Sequence, residues 1–264
     1  MNQMNEDIIK KYAQILRQAE DTGISIEQPI TLSYPQISIE EAYAIQLLNI
    51  DQKIKEGHKV VGKKIGLTSK AMQQVFNVDQ PDYGHLLDSM EVENGASVPM
   101  NKVMQPKVEG EIAFVLKEDL KGPNVTTEDV IAATDYIVPS IEIVCSRIKD
   151  WKIKLADTIA DNASSGLFLL GDNKFSIDQV DIINEEMKLY KNGVMVNQGK
   201  GEDASGNPAY CVAWLANKLY EFGVTLKKGE VILSGALSAA VDVKANDTIT
   251  VSFLNLGDVT VKFV

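Results

Sequence analysis

Glu109-Gly110-Glu111 leads into the apolar run Ile112 to Leu116, and that spacing poses a chemical question. Residues two apart on a strand point to one face at about 6.6 Å. Both carboxylates therefore share a face that Ala113 and Val115 continue as apolar. Two charges at that separation repel by only about 0.6 kcal/mol in water, and by about 2.5 kcal/mol at an effective dielectric of about 20. Repulsion alone does not separate an exposed pair at a strand end from a working site. Both faces of the run are apolar, which argues for burial, and a buried carboxylate pair needs a cation or a shared proton. Glu142 strengthens the case, because it sits inside a second apolar run, Tyr136 to Cys145, where a lone ionised carboxylate is costly. Three carboxylates without histidine or thiolate favour a hard divalent ion, Mg²⁺ or Mn²⁺, over zinc. Such an ion keeps positions open for water and a chelating substrate, polarises a carbonyl and stabilises an enolate, which points to chemistry beside a keto acid.

Lys63 and Lys64 are the candidate cationic partners. In the strand pattern of residues 60 to 66, Lys63 alternates with Val61 and Ile65, whereas Lys64 shares its face with Gly62 and Gly66. A face cleared by two glycines leaves room for a ligand beside an ammonium group. The competing reading sends both lysines to solvent from a strand edge; Lys63 is expected to escape to solvent in either case. Pro-Asp-Tyr-Gly, residues 81 to 84, is first a turn signal, and the nearby lysine strand makes Asp82 a candidate base. The small polar residues of "ADNASSGLFLLG" can present Asn162 and Ser164 to a ligand, although turn formation explains them equally well. His58 and His85 are the two histidines, which excludes a histidine-rich metal site; His85, beside a turn, reads first as a packing or surface residue. No dinucleotide-binding glycine motif, phosphate-binding loop or nucleophile elbow is present.

These side chains need a frame. Helical spacing marks Ile8, Ile9, Tyr12, Ile15 and Leu16, then Ala42, Ile45 and Leu48, with Ser38 and Glu41 forming a capping box. A short helix over 68–76 and a turn-rich loop over 77–84 follow the lysine strand. From about residue 100 strands dominate, including a hairpin at Asn192-Gly193. Helices at "TTEDVIAATD" and "NPAYCVAWLANKLYEFG" interrupt them without regular strand–helix alternation. The fold reads as α+β with a mostly antiparallel or mixed sheet. The chain is expected to be one catalytic unit over 1–264, mainly helical over 1–99 and β-rich and metal-binding over 100–264. Its net charge of −11 and its scattered basic residues argue against nucleic acid or an anionic membrane as partner. With no apolar run of membrane-spanning length and a polar N-terminus, a cytoplasmic protein is expected. Cys145 and Cys211 lack pairing motifs and read as buried thiols.

"GKKIGLTSKAMQ", "VDQPDYGHLLD", "EGEIAFVL", "DYIVPSIEIVCSRIKDW", "DTIADNASSG" and "EVILSGAL" together resemble the 2-keto-4-pentenoate (2-hydroxypenta-2,4-dienoate) hydratases, of the fumarylacetoacetate hydrolase superfamily. The resemblance runs in order from about residue 38 to the C-terminus. It implies helices packed on a mixed β roll or sandwich, a divalent metal held by Glu109, Glu111 and Glu142, and a homo-oligomer. It also implies that Lys64, not Lys63, faces the site, and that Asp82 and Ser164 face substrate. The sister 4-oxalocrotonate decarboxylases share the carboxylates and lysine. In them the resemblance implies an apolar residue in place of Asp82, an alanine in place of Gly110, and "TGGI" where this chain has "LSGAL". The implied reaction is hydration of 2-hydroxypenta-2,4-dienoate in aromatic meta-cleavage catabolism. Decarboxylation of a 2-oxo-hexenedioate, hydrolysis of an acylpyruvate, and a catalytically silent partner of a pathway enzyme are the alternatives; the partners to expect are a small 2-oxo or 2-hydroxy-dienoate substrate and, for the active enzyme, a complex with a pathway decarboxylase.

Overall fold

The structure is a computed structural model, and it describes residues 6–68, 73–74, 78 and 80–264. Three helices open the chain: α1 (Glu6–Thr22), the single turn α2 (Ile30–Ser33) and α3 (Ile39–Lys55). Ser38 starts α3 with the expected reciprocal cap: its Oγ accepts from the Glu41 N–H at 3.2 Å, while the Ser38 N–H donates to the Glu41 carboxylate at 2.9 Å. Helix then gives way to strand at β1 (Val60–Gly66) and β2 (Asp82–Leu87). Asp82 to Gly84 are therefore strand residues, a correction to the turn reading of Pro-Asp-Tyr-Gly. Each pairs with β1, Asp82 opposite Gly66 and Gly84 opposite Lys64, so ladder hydrogen bonds override the local turn preference. The short helix expected over 68–76 falls largely outside the described residues.

The remaining strands are β3 (Glu91–Val92), β4 (Ser97–Val98), β5 (Lys107–Leu116), β6 (Thr134–Val144), β7 (Ser165–Leu170), β8 (Glu186–Lys191), β9 (Val194–Lys200), β10 (Val231–Leu233), β11 (Val241–Asp242), β12 (Thr248–Phe253) and β13 (Gly257–Phe263). Between them lie α4 (Thr127–Ala133), α5 (Leu155–Ala160) and α6 (Pro208–Tyr220). One curled sheet of eight strands runs β2-β1-β10-β5-β6-β7-β3, with β11 also on β5; a second of five strands runs β4-β13-β12-β8-β9. Pairings β1–β10, β3–β7 and β4–β13 are parallel and the rest antiparallel, so both sheets are mixed. Asn192 and Gly193 turn the β8–β9 hairpin with φ of 54° and 79°, the positive values that a two-residue turn of this type requires.

Alternation along β5 divides the packing. Ile112 and Phe114 join the main core with Tyr43 and Ile45 of α3 and Ile65 of β1. Ala113 and Val115 turn the other way, into a smaller cluster with Leu86, Val138, Phe168 and Leu233. Burial of each such large side chain contributes about 1.5–3 kcal/mol. The smaller cluster is the apolar continuation of the face that carries Glu109 and Glu111. No helix among the described residues is long and apolar enough to cross a membrane.

A carboxylate cluster with a buried lysine

On the antiparallel β5–β6 pair, Glu109 lies opposite Glu142 and Glu111 opposite Ser140. That register brings one oxygen from each of Glu109, Glu111 and Glu142 within 4.8 Å of one another. Glu111 and Glu142 are fully buried, and Glu109 faces a cavity. The Gly235 N–H donates to Glu111 Oε2 at 2.7 Å, whereas Glu111 Oε1 and both Glu142 oxygens have no hydrogen-bond partner among the described residues. Three orphaned oxygens in a buried acidic cluster suit a hard divalent cation as ligands.

Lys64 enters from β1. Its Nζ stands 3.3 Å from Glu142 Oε1, an ion pair without hydrogen-bond alignment, and donates to the Ala163 carbonyl at 3.0 Å. Burial works against the ammonium charge. The carboxylates of Glu142, Asp82, Glu109 and Glu111 outweigh it and hold the lysine pKa above its ordinary range. The same burial pushes Glu109 up to about 7, with Glu142 adding to the rise, and raises Glu111 and Glu142 as well. With Asp82, four carboxylates face the Lys64 ammonium, and Lys107 acts on Glu109 more weakly, so full ionisation of the cluster would leave it short of positive charge. A divalent cation at the cluster would supply it.

Asp82, at the start of β2, completes the group. Burial raises its pKa against the pull of Lys64; Thr158 Oγ1 donates to its Oδ2 at 2.8 Å, and Oδ1 has no hydrogen-bond partner among the described residues. The glycines of the lysine face have separate uses. A Cβ on Gly66 would lie 2.3 Å from Asp82 Oδ1, so that glycine makes room for the carboxylate. A Cβ on Gly62 would lie 2.0 Å from the Val231 carbonyl, so that one admits the β10 backbone rather than a ligand.

Lys64, Asp82, Glu109, Thr158, Ser164 and Trp151 all line one cavity of about 260 Å³. That is below the roughly 300–1,000 Å³ of sites for drug-sized ligands and suits a small acid. Ser164 Oγ sits 3.3 Å from Thr158 Oγ1, within reach of the Asp82 network. Asn162 is not brought into this cavity by its side chain. Its amide closes two hydrogen bonds on the backbone of His85, accepting from N–H at 2.7 Å and donating to C=O at 2.9 Å.

Lys63 corrects another expectation. It is buried, not solvated, and pairs with Glu230 at 2.8 Å on the opposite face of β1. An ammonium group there is tolerated because a carboxylate meets it. Sequence reasoning also missed Thr158, the Ala163 carbonyl and the Gly235 N–H. Only Gly235 carried a signal: its φ is 105°, and a Cβ there would lie 2.4 Å from Thr68.

The sequence profile described as fumarylacetoacetate (FAA) hydrolase C-terminal matches residues 49–264. A 2-hydroxyhexa-2,4-dienoate hydratase of Comamonas testosteroni is 47% identical over 237 residues, covering 89% of this chain and 90% of its own. A 2-hydroxypent-2,4-dienoate hydratase of Pseudomonas putida is 51% identical over 197 residues, 74% of this chain and 89% of its own. The chain belongs to the 2-keto-4-pentenoate hydratase family. This family of hydro-lyases lies within the fumarylacetoacetate hydrolase superfamily, and its fold reaches beyond hydratases. A 4-oxalocrotonate decarboxylase from Pseudomonas putida G7, complexed with magnesium and adipate, superposes with a TM-score of 0.96 at 36% identity over 100% of both chains. In this hydratase-family chain, the lysine, the aspartate and Glu109 that the resemblance implied as working residues line one cavity, with Glu111 and Glu142 buried behind Glu109 in the same carboxylate cluster.

Proposed function

We propose that the chain adds water to 2-hydroxypenta-2,4-dienoate, giving 4-hydroxy-2-oxopentanoate, with Mg²⁺ or Mn²⁺ held by Glu109, Glu111 and Glu142. The observation that carries this reading is the buried Asp82 carboxylate, which shares one cavity with Lys64 and with Glu109, the glutamate through which the carboxylate cluster meets that cavity. A bound divalent ion supplies Lewis-acid stabilisation of negative charge on a substrate carboxylate and 2-oxygen. Lys64 and Asp82 move the protons: one leaves the 2-hydroxyl and one is delivered to C5, giving the conjugated 2-oxo-3-enoate. Water then adds its hydroxyl at C4 while C3 takes a proton, so the atoms of one water molecule enter the product and none leaves. Thr158 orients Asp82 by its hydrogen bond, and Ser164 extends the same polar wall toward substrate.

The close superposition with a decarboxylase supports a second reading, release of carbon dioxide from a six-carbon diacid. Asp82 argues against it, since the resemblance implies an apolar residue at this position in decarboxylases. Metal dependence tests the site. Chelator-treated protein is expected to lose turnover, followed as ultraviolet loss of the conjugated dienoate, and to regain it with Mg²⁺ or Mn²⁺. Full activity after chelation, with no gain from either ion, overturns the three-glutamate site.

A further inference from the structure

The segment from Asp161 to Ser165 is the wall between two cavities. Ala163 and Ser164 face the candidate active site, while Asp161, Asn162 and Ser165 face a second cavity of about 430 Å³ together with Arg147. Within this wall Asn162, Ala163 and Ser164 have φ of 52°, 50° and 52°. Three successive residues with a Cβ in the left-handed region form a conformation the chain does not hold by itself. Contacts from outside must hold it.

Arg147 makes those contacts. Its Nε donates to the Asp161 carboxylate, one terminal nitrogen donates to the Asp161 carbonyl, and the other donates to the Ser165 carbonyl at 2.7 Å. Its backbone N–H also donates to Asp161 Oδ2 at 3.0 Å. A planar guanidinium thus ties both ends of the left-handed turn to one rigid group. Arg147 and Asp161 are both buried. Inside the turn, the Ala163 carbonyl accepts from Lys64 Nζ, and Ser164 Oγ lies beside the Thr158 hydroxyl that donates to Asp82. Asn162 fastens the near side of the turn to β2.

We propose that Arg147 is a positioning residue: its guanidinium sets the left-handed turn 162–164, and that turn sets the Lys64 ammonium against Glu142 and Asp82. The inference rests on the hydratase reading of Lys64, and Arg147 itself touches none of the three glutamates. Arg147→Lys keeps a positive charge beside Asp161 but cannot span both carbonyls. Misplacement of a reacting group by about 1 Å costs up to about 100-fold, so kcat is expected to fall about 10- to 100-fold. KM should hold, because Arg147 faces the second cavity and not the candidate active site, and Mn²⁺ affinity should fall far less than kcat, because the turn reaches the cluster only through the Lys64–Glu142 pair. Glycine adopts positive φ without a clamp, so adding Ala163→Gly to Arg147→Lys should recover most of the lost kcat. A crystal structure of Arg147→Lys should show the Lys64–Ala163 hydrogen bond broken. Wild-type kcat in Arg147→Lys overturns the proposal. So does a loss of kcat accompanied by equal losses of metal affinity and thermal midpoint, with nothing recovered in the double variant. A wild-type protein inactive on the dienoate defeats the hydratase reading instead, and persistence of the Lys64–Ala163 contact in the Arg147→Lys crystal then decides the clamp on its own.

Discussion

At the scale of residues, the site is a problem in charge compensation. Asp82 and Lys64 are both buried and lie in one cavity, and the raised pKa of Asp82 and the persistent charge of Lys64 place a proton acceptor and a proton donor side by side. Replacing Asp82 with asparagine keeps the shape and a hydrogen-bond partner for Thr158 while removing the base. Positioned acid–base groups contribute about 10²–10⁴ in rate, so kcat of Asp82→Asn is expected to fall by that order while metal binding is retained. Turnover near the wild-type value would remove Asp82 from proton transfer. The three glutamates and Lys64 were legible in the sequence, because period-two alternation inside apolar runs leaves a buried charge conspicuous. Lys63 was misread because its partner, Glu230, is 167 positions away, and only tertiary pairing reveals it. Thr158 and the Ala163 carbonyl gave no signal, since a helix threonine and a backbone oxygen look ordinary until the fold aims them.

At the scale of elements, β1 and β2 carry the chemistry on one face and lock onto α3 with the other. Gln46 of α3 donates its amide nitrogen to the carbonyls of Tyr83 and Ile159 at 3.1 and 2.6 Å, which turns its oxygen to His85 Nδ1 at 2.8 Å. His85 is therefore the Nδ1–H tautomer, and burial, reinforced by Lys63, lowers its pKa to about 3. The unfolded chain, with an ordinary histidine near 6.5, binds the proton first. This contribution to stability is full above about pH 6.5 and declines as pH falls toward 3, amounting to about 2 kcal/mol by pH 5. Denaturant unfolding at pH 7 and pH 5 should therefore show a smaller acid loss in His85→Gln than in wild type; equal losses would contradict the assignment. The raised carboxylates act in the opposite sense but are common to both proteins, so the comparison isolates His85. Strand existence was largely readable from alternation, whereas β2 was hidden behind a Pro-Asp-Tyr-Gly turn signal that sheet pairing overrode. Gly110 also gained a meaning: a Cβ there would lie 2.7 Å from Val251 of β12, so this marker of the hydratase resemblance acts on sheet packing rather than on the site.

At the scale of the whole molecule, two mixed sheets and their helices form a frame that a decarboxylase shares almost completely, so overall shape does not select the reaction. On the proposed reading, selection falls to the few groups at the cavity, above all Asp82. The net charge of −11 gives no basic surface for a polyanion, in keeping with a small organic acid as substrate. The most direct test of the account is product analysis in water enriched in heavy oxygen. Metal-loaded protein is given 2-hydroxypenta-2,4-dienoate and, separately, the six-carbon 2-oxo-hexenedioate, and products are followed by mass spectrometry with carbon dioxide trapped. The account predicts 4-hydroxy-2-oxopentanoate labelled at its C4 hydroxyl from the first, and no carbon dioxide from the second. Carbon dioxide release from the diacid, with the five-carbon dienoate left unhydrated, would contradict it.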